Sequence, residues 1–215
     1  MSRTLSEAAS KELLATFGVP FAPERLVTDP EEAAAAATEL GFPVAAKLCG
    51  DHIAHKTERG LVRLGLRDAD AVREAAATLL AAATPEDAAT GVLVAPMVSG
   101  SRELIAGVST DPQFGPTVLV GVGGVLAEAL GDVAVRPAPI SEVDAAEMLE
   151  QLRTQDLLGE FRGEPAVDRD AVAKVLLSLS EAVQGRPEIR SIDLNPLIID
   201  RGAPVAVDAL VEVSA

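Results

Sequence analysis

Tryptophan and tyrosine are missing from this chain, and phenylalanine occurs only five times. Proteins that hold single-stranded nucleic acid stack bases on aromatic side chains, so that class of function lacks its platform here. Cations are scarce as well. Eighteen Lys and Arg face thirty-three Asp and Glu, for a formal charge of −15, whereas a phosphate backbone needs a cationic face. A single nucleotide is not excluded, because one lysine and a metal ion can neutralise a triphosphate locally. With one cysteine, Cys49, no internal disulfide forms, and a reducing cytoplasm is the expected setting. The opening "MSRTLSEAASKELLATFG" carries charges where a signal peptide has an apolar run. No stretch reaches eighteen uninterrupted apolar residues, so no membrane segment is expected.

What remains is 48% hydrophobic, mostly Ala, Val and Leu, a composition suited to helices packed on sheets. A length of 215 residues suits one large domain or one domain of two lobes. "SEAASKELLATFGVP" reads as a helix capped by Ser6 and stopped by Gly18 and Pro20. "TDPEEAAAAATELG" reads as a second, with Asp29 as cap, Pro30 at the first helical position and Gly41 closing it. "FPVAAKL" is then a short buried strand that Lys47 ends, and "GLVRLGL" a strand with Val62, Leu64 and Leu66 alternating. A helix follows in "DADAVREAAATLLAAAT". Strands are expected over Val92–Val98, Arg102–Thr110 and Thr117–Gly124. Ser141 and Asp144 have capping-box spacing ahead of another helix, and a further helix spans about Asp168–Val183. The end of the chain reads as a hairpin turning at Arg201-Gly202. The class is α+β, with lobes of about 1–91 and 92–215, and a groove between lobes is a common ligand site.

Histidine is scarcer than phenylalanine: His52 and His55 are the only two, and both lie in "AAKLCGDHIAHKTERGLVRLGL". Lys47 has two readings, a lysine snorkelling from a strand tip or a phosphate-binding lysine held at a sheet edge. No GxxxxGK[ST] loop or GxGxxG fingerprint accompanies it, so a nucleotide would be bound by another fold. His55 is either a solvated loop residue or a nucleophile towards phosphorus, since neutral imidazole is available at pH 7. Asp193 and Asn195, two apart on one strand, share a face, and Asp208 on the returning strand can lie across from them. Such a set is a hard oxygen site suited to Mg²⁺. Its apolar neighbours mark the hairpin as interior sheet, where unpaired carboxylates are costly. Glu103 opens a strand, and "GVGGVLAEAL" brings backbone N–H groups towards an anion.

Four stretches, in order, carry a resemblance: "FPVAAK"; "IAHKTERGLVRLGL"; "VLVAPMVSGSRELIAGVSTDPQFGPTVLVGVGG" with "AEALGDVAVRPAPI"; and "SIDLNPLIID…VAVDA". Together they resemble the ATP-grasp subunit of the ADP-forming acetyl-CoA (acyl-CoA) synthetases, relatives of succinyl-CoA synthetase. The resemblance implies an ATP-grasp fold of two α+β lobes clamping ATP or ADP. It places Lys47 on the phosphates, the Ala95, Pro96, Met97 and Val98 backbone along the adenine, and Glu103 among the nucleotide-binding residues. Asp193, Asn195 and Asp208 would arrange Mg²⁺. His55 matches the histidine proposed in that family to pass a phosphoryl group to ADP. The resemblance also implies a second subunit or domain that binds CoA and carries another phosphorylatable histidine; no CoA-binding Rossmann unit is visible in this chain, so a CoA-binding partner subunit is expected. Two alternatives stay open: another ATP-grasp carboxylate ligase working through an acyl phosphate, or a non-catalytic nucleotide-binding subunit.

Overall fold

Side-chain caps fix where the helices begin. In the computed structural model, which describes residues 2–53, 56–124 and 131–214, Ser6 Oγ accepts the Ala9 N–H at the start of α1 (Glu7–Ala15). Asp29 Oδ1 accepts the N–H groups of Glu31 and Glu32 at 2.8 and 3.0 Å, opening α2 (Pro30–Leu40). Gly41 ends that helix with φ of 86°, a conformation that costs glycine least. Asp68 caps α3 (Ala69–Ala81) through the Ala71 N–H. Ser141 and Asp144 form a reciprocal capping box on α4 (Glu142–Gln151), and Asp168 caps α5 (Arg169–Gly185). Each of these caps satisfies N–H groups that a helix start leaves without partners.

The chain divides into two units. One comprises Thr4–Ala9 and Ala22–Met97; the other comprises Met1–Arg3, Ser10–Phe21 and Val98–Ala215. The expected break near Gly91 falls inside a strand. That strand is hydrogen-bonded on both sides within the first unit, so the passage to the second comes later, between Met97 and Val98.

In the first unit an antiparallel sheet has the order β2 (Arg25–Val27), β5 (Ala89–Pro96), β3 (Val44–Gly50), β4 (Val62–Leu66). Val44, Ala46 and Leu48 of β3 join Ala33 and Ala37 of α2 and Val72, Ala76 and Leu79 of α3 in one core. The alanines let the two helices lie close together. Ala45 and Lys47 therefore point to the opposite face of the sheet. Two local expectations change. β3 runs to Gly50, so Lys47 is its middle residue rather than its end, because Leu48 and Cys49 keep pairing with Val92 and Gly91. The β3–β4 register also shifts between Val44 and Ala46, opposite Gly65, whose φ is 69°. This bulge turns Leu64 out to solvent at 64% exposure, where simple alternation put it beside Val62 and Leu66.

In the second unit a seven-stranded sheet has the order β1 (Ser2–Thr4), β11 (Leu210–Ser214), β9 (Ile189–Asp200), β6 (Arg102–Asp111), β7 (Gly115–Val122), β8 (Val133–Pro137). The strand β10 (Ala203–Ala206) also pairs with β9, through a turn in which Arg201 and Gly202 both have positive φ. Helices α4 and α5 cover one face, where Leu104, Ala106 and Val108 of β6 and Ile192 and Leu194 of β9 are buried. Gly107 permits the close approach of β6 to β9: a Cβ there would stand 2.4 Å from the Ile192 carbonyl oxygen. β8 is a strand that periodicity alone did not mark. Among the described residues, no helix is long and apolar enough to cross a membrane.

Candidate active site

The expected site residues fall into two groups, one in each unit. In the second unit Asp193 and Asn195 lie on β9 on either side of buried Leu194, so both side chains emerge on the face away from α4 and α5. Asp193 pairs in register with Leu210 of β11 on one side and Gly107 of β6 on the other. Ala206 pairs with Leu197, and the Val207 N–H donates to the Pro196 carbonyl at 3.2 Å. Counting from both ends, Asp208 falls level with Asn195. The hairpin thus brings the three oxygen-bearing side chains to one patch. Desolvation by surrounding protein atoms raises the Asp193 carboxyl, and the charge of Asp208 raises it further. Asp193 is open to solvent at its outer edge, so the shift reflects crowding rather than enclosure. Two like charges held this close favour a divalent cation with oxygen ligands. Among the described residues there is no cluster of three or more His, Cys, Asp or Glu arranged for a metal; this patch offers two carboxylates and an amide.

Glu103 stands on β6 in register with Ile198. Its carbonyl accepts the Gly123 N–H at 2.7 Å, which ties the "GVGG" segment to this strand. Glu103, Leu104, Val122, Gly123 and Gly124 line one side of a cavity of about 270 Å³ whose other wall includes Leu157 and Phe161. Beneath it lies a residue that sequence reasoning missed. Arg102 is buried at 4% exposure and donates to the carbonyls of Leu157, Gly159 and Pro165, with its Nε 3.3 Å from Glu164. It holds the segment after α4 against the sheet. An arginine at a strand start ordinarily reads as a solvated surface residue, so no local signal marks it.

The first unit holds Lys47 and, as far as Met97, the Ala95–Val98 segment expected to line an adenine. Ala95 and Pro96 pair with Ala45 and Val44 of β3, and the Met97 N–H donates to the Pro43 carbonyl at 2.9 Å. Ala95–Val98 is therefore the stretch where the chain passes from one unit to the other. Lys47 Nζ lies 2.7 Å from Glu7 Oε1, and Lys56 Nζ bonds the other oxygen of that carboxylate. The Glu7 side chain is 2% exposed, and those of Lys47 and Lys56 are 11% and 10%. Neither Glu7 nor Lys56 was picked out from the sequence. An acid in a first helical turn reads as a complement to the helix dipole, and the partners stand 40 and 49 residues apart.

His55, the expected catalytic residue, lies outside the described residues. The segments flanking it are anchored. The N–H groups of Asp51 and His52 donate to the Ala88 and Asp87 carbonyls. His52 Nδ1 donates to the Glu86 carbonyl at 3.2 Å. Arg59 grips the buried Asp87 carboxylate with two bonds of 2.7 and 3.0 Å, which, with the Thr84 cap, hold that carboxyl well below the usual range.

A family model for the ATP-grasp domain matches residues 1–213. The chain is 36% identical over 211 residues to the beta subunit of ADP-forming acetate–CoA ligase I of Pyrococcus furiosus, covering 97% of this chain and 91% of that one. It is 37% identical over 215 residues to a trans-feruloyl-CoA synthase of an unknown prokaryotic organism, covering 98% of this chain but 30% of that protein. The fold superimposes on the dinucleotide-forming acetyl-coenzyme A synthetase 1 of Ca. Korarchaeum cryptofilum, solved with coenzyme A, Ca-AMPCP and HgCl+. The TM-score is 0.92 and the identity 35%, over 99% of this chain and 94% of that one. A second structure of that enzyme, holding coenzyme A and Mg-AMPPCP with its phosphohistidine segment pointing towards the nucleotide-binding site, matches with a TM-score of 0.83 at 35% identity, over 97% and 92% of the two chains. The chain belongs to the ATP-grasp family, and over most of its length it is similar to beta subunits of ADP-forming acetate–CoA ligases.

Proposed function

We propose that this chain is the nucleotide-binding subunit of an ADP-forming acyl-CoA synthetase, an acid–thiol ligase completed by a CoA-binding partner subunit. The net reaction is acyl-CoA + ADP + phosphate ⇌ carboxylate + CoA + ATP. The observation that carries the reading is the hairpin register that gathers Asp193, Asn195 and Asp208 on an open sheet face. Such a patch is costly by itself and is relieved by a cation brought with a polyphosphate. Kinship with beta subunits along 97% of the chain supplies the reaction class.

In this reading Lys47 binds the phosphates of ATP or ADP, the Ala95–Val98 backbone lies along the adenine, and Glu103 adds a polar contact. Asp193, Asn195 and Asp208 are the ligands for Mg²⁺, whose charge would offset that of the phosphates. His55 is the phosphoryl carrier. In the direction of ATP synthesis its imidazole nitrogen attacks the phosphorus of a phosphohistidine on the partner. The old N–P bond breaks and its electron pair returns to the partner's ring. A terminal oxygen of ADP then attacks the same phosphorus, a P–O bond forms, and the bond to His55 breaks. Such transfers depend on positioning and charge neutralisation rather than on acid–base chemistry. A free buried thiol, Cys49, suits the reducing cytoplasm we assign to the complex.

Reconstitution tests this. The chain alone is expected to bind ADP with Mg²⁺ yet form no ATP from acetyl-CoA, ADP and phosphate; adding the CoA-binding partner should start turnover. Normal turnover by the isolated chain would refute the division of labour.

A further inference from the structure

Two prolines leave an opening in the sheet of the first unit. The Met97 N–H donates to the Pro43 carbonyl at 2.9 Å, and Ala95 and Pro96 pair in step with Ala45 and Val44. In an antiparallel ladder, residues that bond to the neighbouring strand alternate with residues that turn both polar groups away from it. Met97 and Ala95 bond towards β3, so the Pro96 carbonyl is directed to the other side, towards β2. There the pairing ends with Arg25 opposite Val94. The residue that would continue it opposite Pro96 is Pro23, which has no N–H to give. Among the described residues no other main-chain donor meets this carbonyl. Pro96 also lacks an N–H, so the edge presents an acceptor alone, where an ordinary residue would present a donor beside it.

Apolar side chains surround the opening. Leu26 and Met97 are 45% and 38% exposed, and Ala95 is half-buried. Leu26, Leu93 and Lys47 stand in one row of the ladder, so their side chains share the face that carries the lysine assigned to the phosphates. A flat ring laid on such a surface displaces water from it, and a carbonyl at the rim is then either paired or costly.

We propose that the Pro96 carbonyl reads the 6-position of the base and selects adenine over guanine nucleotides, and that Pro23 is the positioning residue that keeps this carbonyl open. The inference rests on Lys47 and the Ala95–Val98 segment being the nucleotide site of the preceding section. Adenine carries an amine at its 6-position, which donates; guanine carries an oxygen there, which accepts. Against Pro96 the amine completes a hydrogen bond, whereas the oxygen sets two acceptors face to face. Ala95 and Pro96 have no polar side-chain group, so the main chain does the reading. A site that hydrogen-bonds one substituent rejects the analogue lacking it more strongly than an apolar pocket rejects by size.

Calorimetry on the full chain with Mg²⁺ and four nucleotides tests this: ADP, GDP, inosine diphosphate and 2-aminoadenosine diphosphate. Inosine diphosphate keeps the oxygen of guanine without its 2-amine, and 2-aminoadenosine diphosphate keeps the 6-amine of adenine and adds the second. ADP and 2-aminoadenosine diphosphate are expected to bind within about 3-fold of each other, and GDP and inosine diphosphate roughly 10- to 100-fold more weakly. Inosine diphosphate bound as tightly as ADP overturns the proposal. So does 2-aminoadenosine diphosphate bound as weakly as GDP, which would move the discrimination to the 2-position. If none of the four binds, the nucleotide reading falls first and this inference with it. Pro23→Ala supplies the missing N–H at an exposed position. It is expected to weaken ADP and leave GDP as it was, bringing their ratio under about 3-fold. An unchanged ratio, or equal weakening of both nucleotides, overturns the role of Pro23.

Discussion

The charge of Asp208 bears on Asp193 and, added to desolvation, raises the Asp193 carboxyl above its ordinary value. These residues sit fifteen positions apart in the sequence and are brought to one patch by a hairpin whose register stays in step from Ala206 opposite Leu197 to Leu210 opposite Asp193. A group whose pKa is raised by folding favours the folded state below its unfolded value and loses that contribution as pH rises through the folded value. Without a metal, the ionised form of Asp193 therefore works against the fold.

Asp193→Asn is accordingly expected to leave the metal-free melting temperature at pH 7 unchanged or raise it by at most about 2 °C, since solvent screens the pair. The same substitution should abolish the rise in melting temperature produced by MgADP. Thermal scans with and without MgADP check both halves. A variant that melts lower without metal and still responds to MgADP would contradict the assignment.

Asp87 behaves in the opposite sense. The side-chain bond from Arg59, then the Thr84 N–H, depress its carboxyl. Its contribution is complete above the ordinary carboxylate range and is lost as pH falls below about 4. Asp87→Asn should lower stability at pH 7 and flatten the acid limb of a melting-temperature profile. A limb as steep as in the wild type would show that other carboxylates govern acid unfolding.

Arg102 is expected to be the most sensitive structural position outside the site. Arg102→Met removes donors from the carbonyls of Leu157, Gly159 and Pro165, and each oxygen left without a partner costs on the order of 1 kcal/mol. A fall in melting temperature of roughly 6–12 °C follows for a chain of this size. A fall under about 2 °C would show that water replaces the guanidinium.

Gly107 connects the fold to the site. An alanine there would press on the Ile192 carbonyl, its Cβ only 2.4 Å from that oxygen, and drive β6 from β9 at the pair it forms with Asp193. Overpacking of this kind costs about 1–3 kcal/mol. Gly107→Ala should weaken the Mg²⁺ dependence of activity as well as stability. Lost stability with an unchanged Mg²⁺ dependence would separate strand spacing from the patch.

Much of this was legible where the signal is local. Asp29, Pro30 and Gly41 bound α2 as written in the sequence, because capping involves residues within one turn. The Arg201-Gly202 turn and the level of Asp208 with Asn195 follow from hairpin register, which two-residue counting captures. Leu64 escaped, because a bulge at Gly65 breaks the alternation on which the reading rested. The length of β3 escaped as well, since Leu48 and Cys49 owe their strand geometry to partners more than forty residues away. Glu7 and Arg102 were out of reach for the same reason. Their roles come from contacts 40 to 63 residues distant, and nothing in "SEAAS" or "SGSR" records them.

The most direct test of the relay is acid-labile ³²P labelling of the chain by labelled ATP in the presence of its CoA-binding partner, comparing the wild type with His55→Ala. The account predicts a labelled wild-type chain and an unlabelled variant that still binds MgADP. Equal labelling of the two chains would place the phosphoryl carrier at another residue and contradict it.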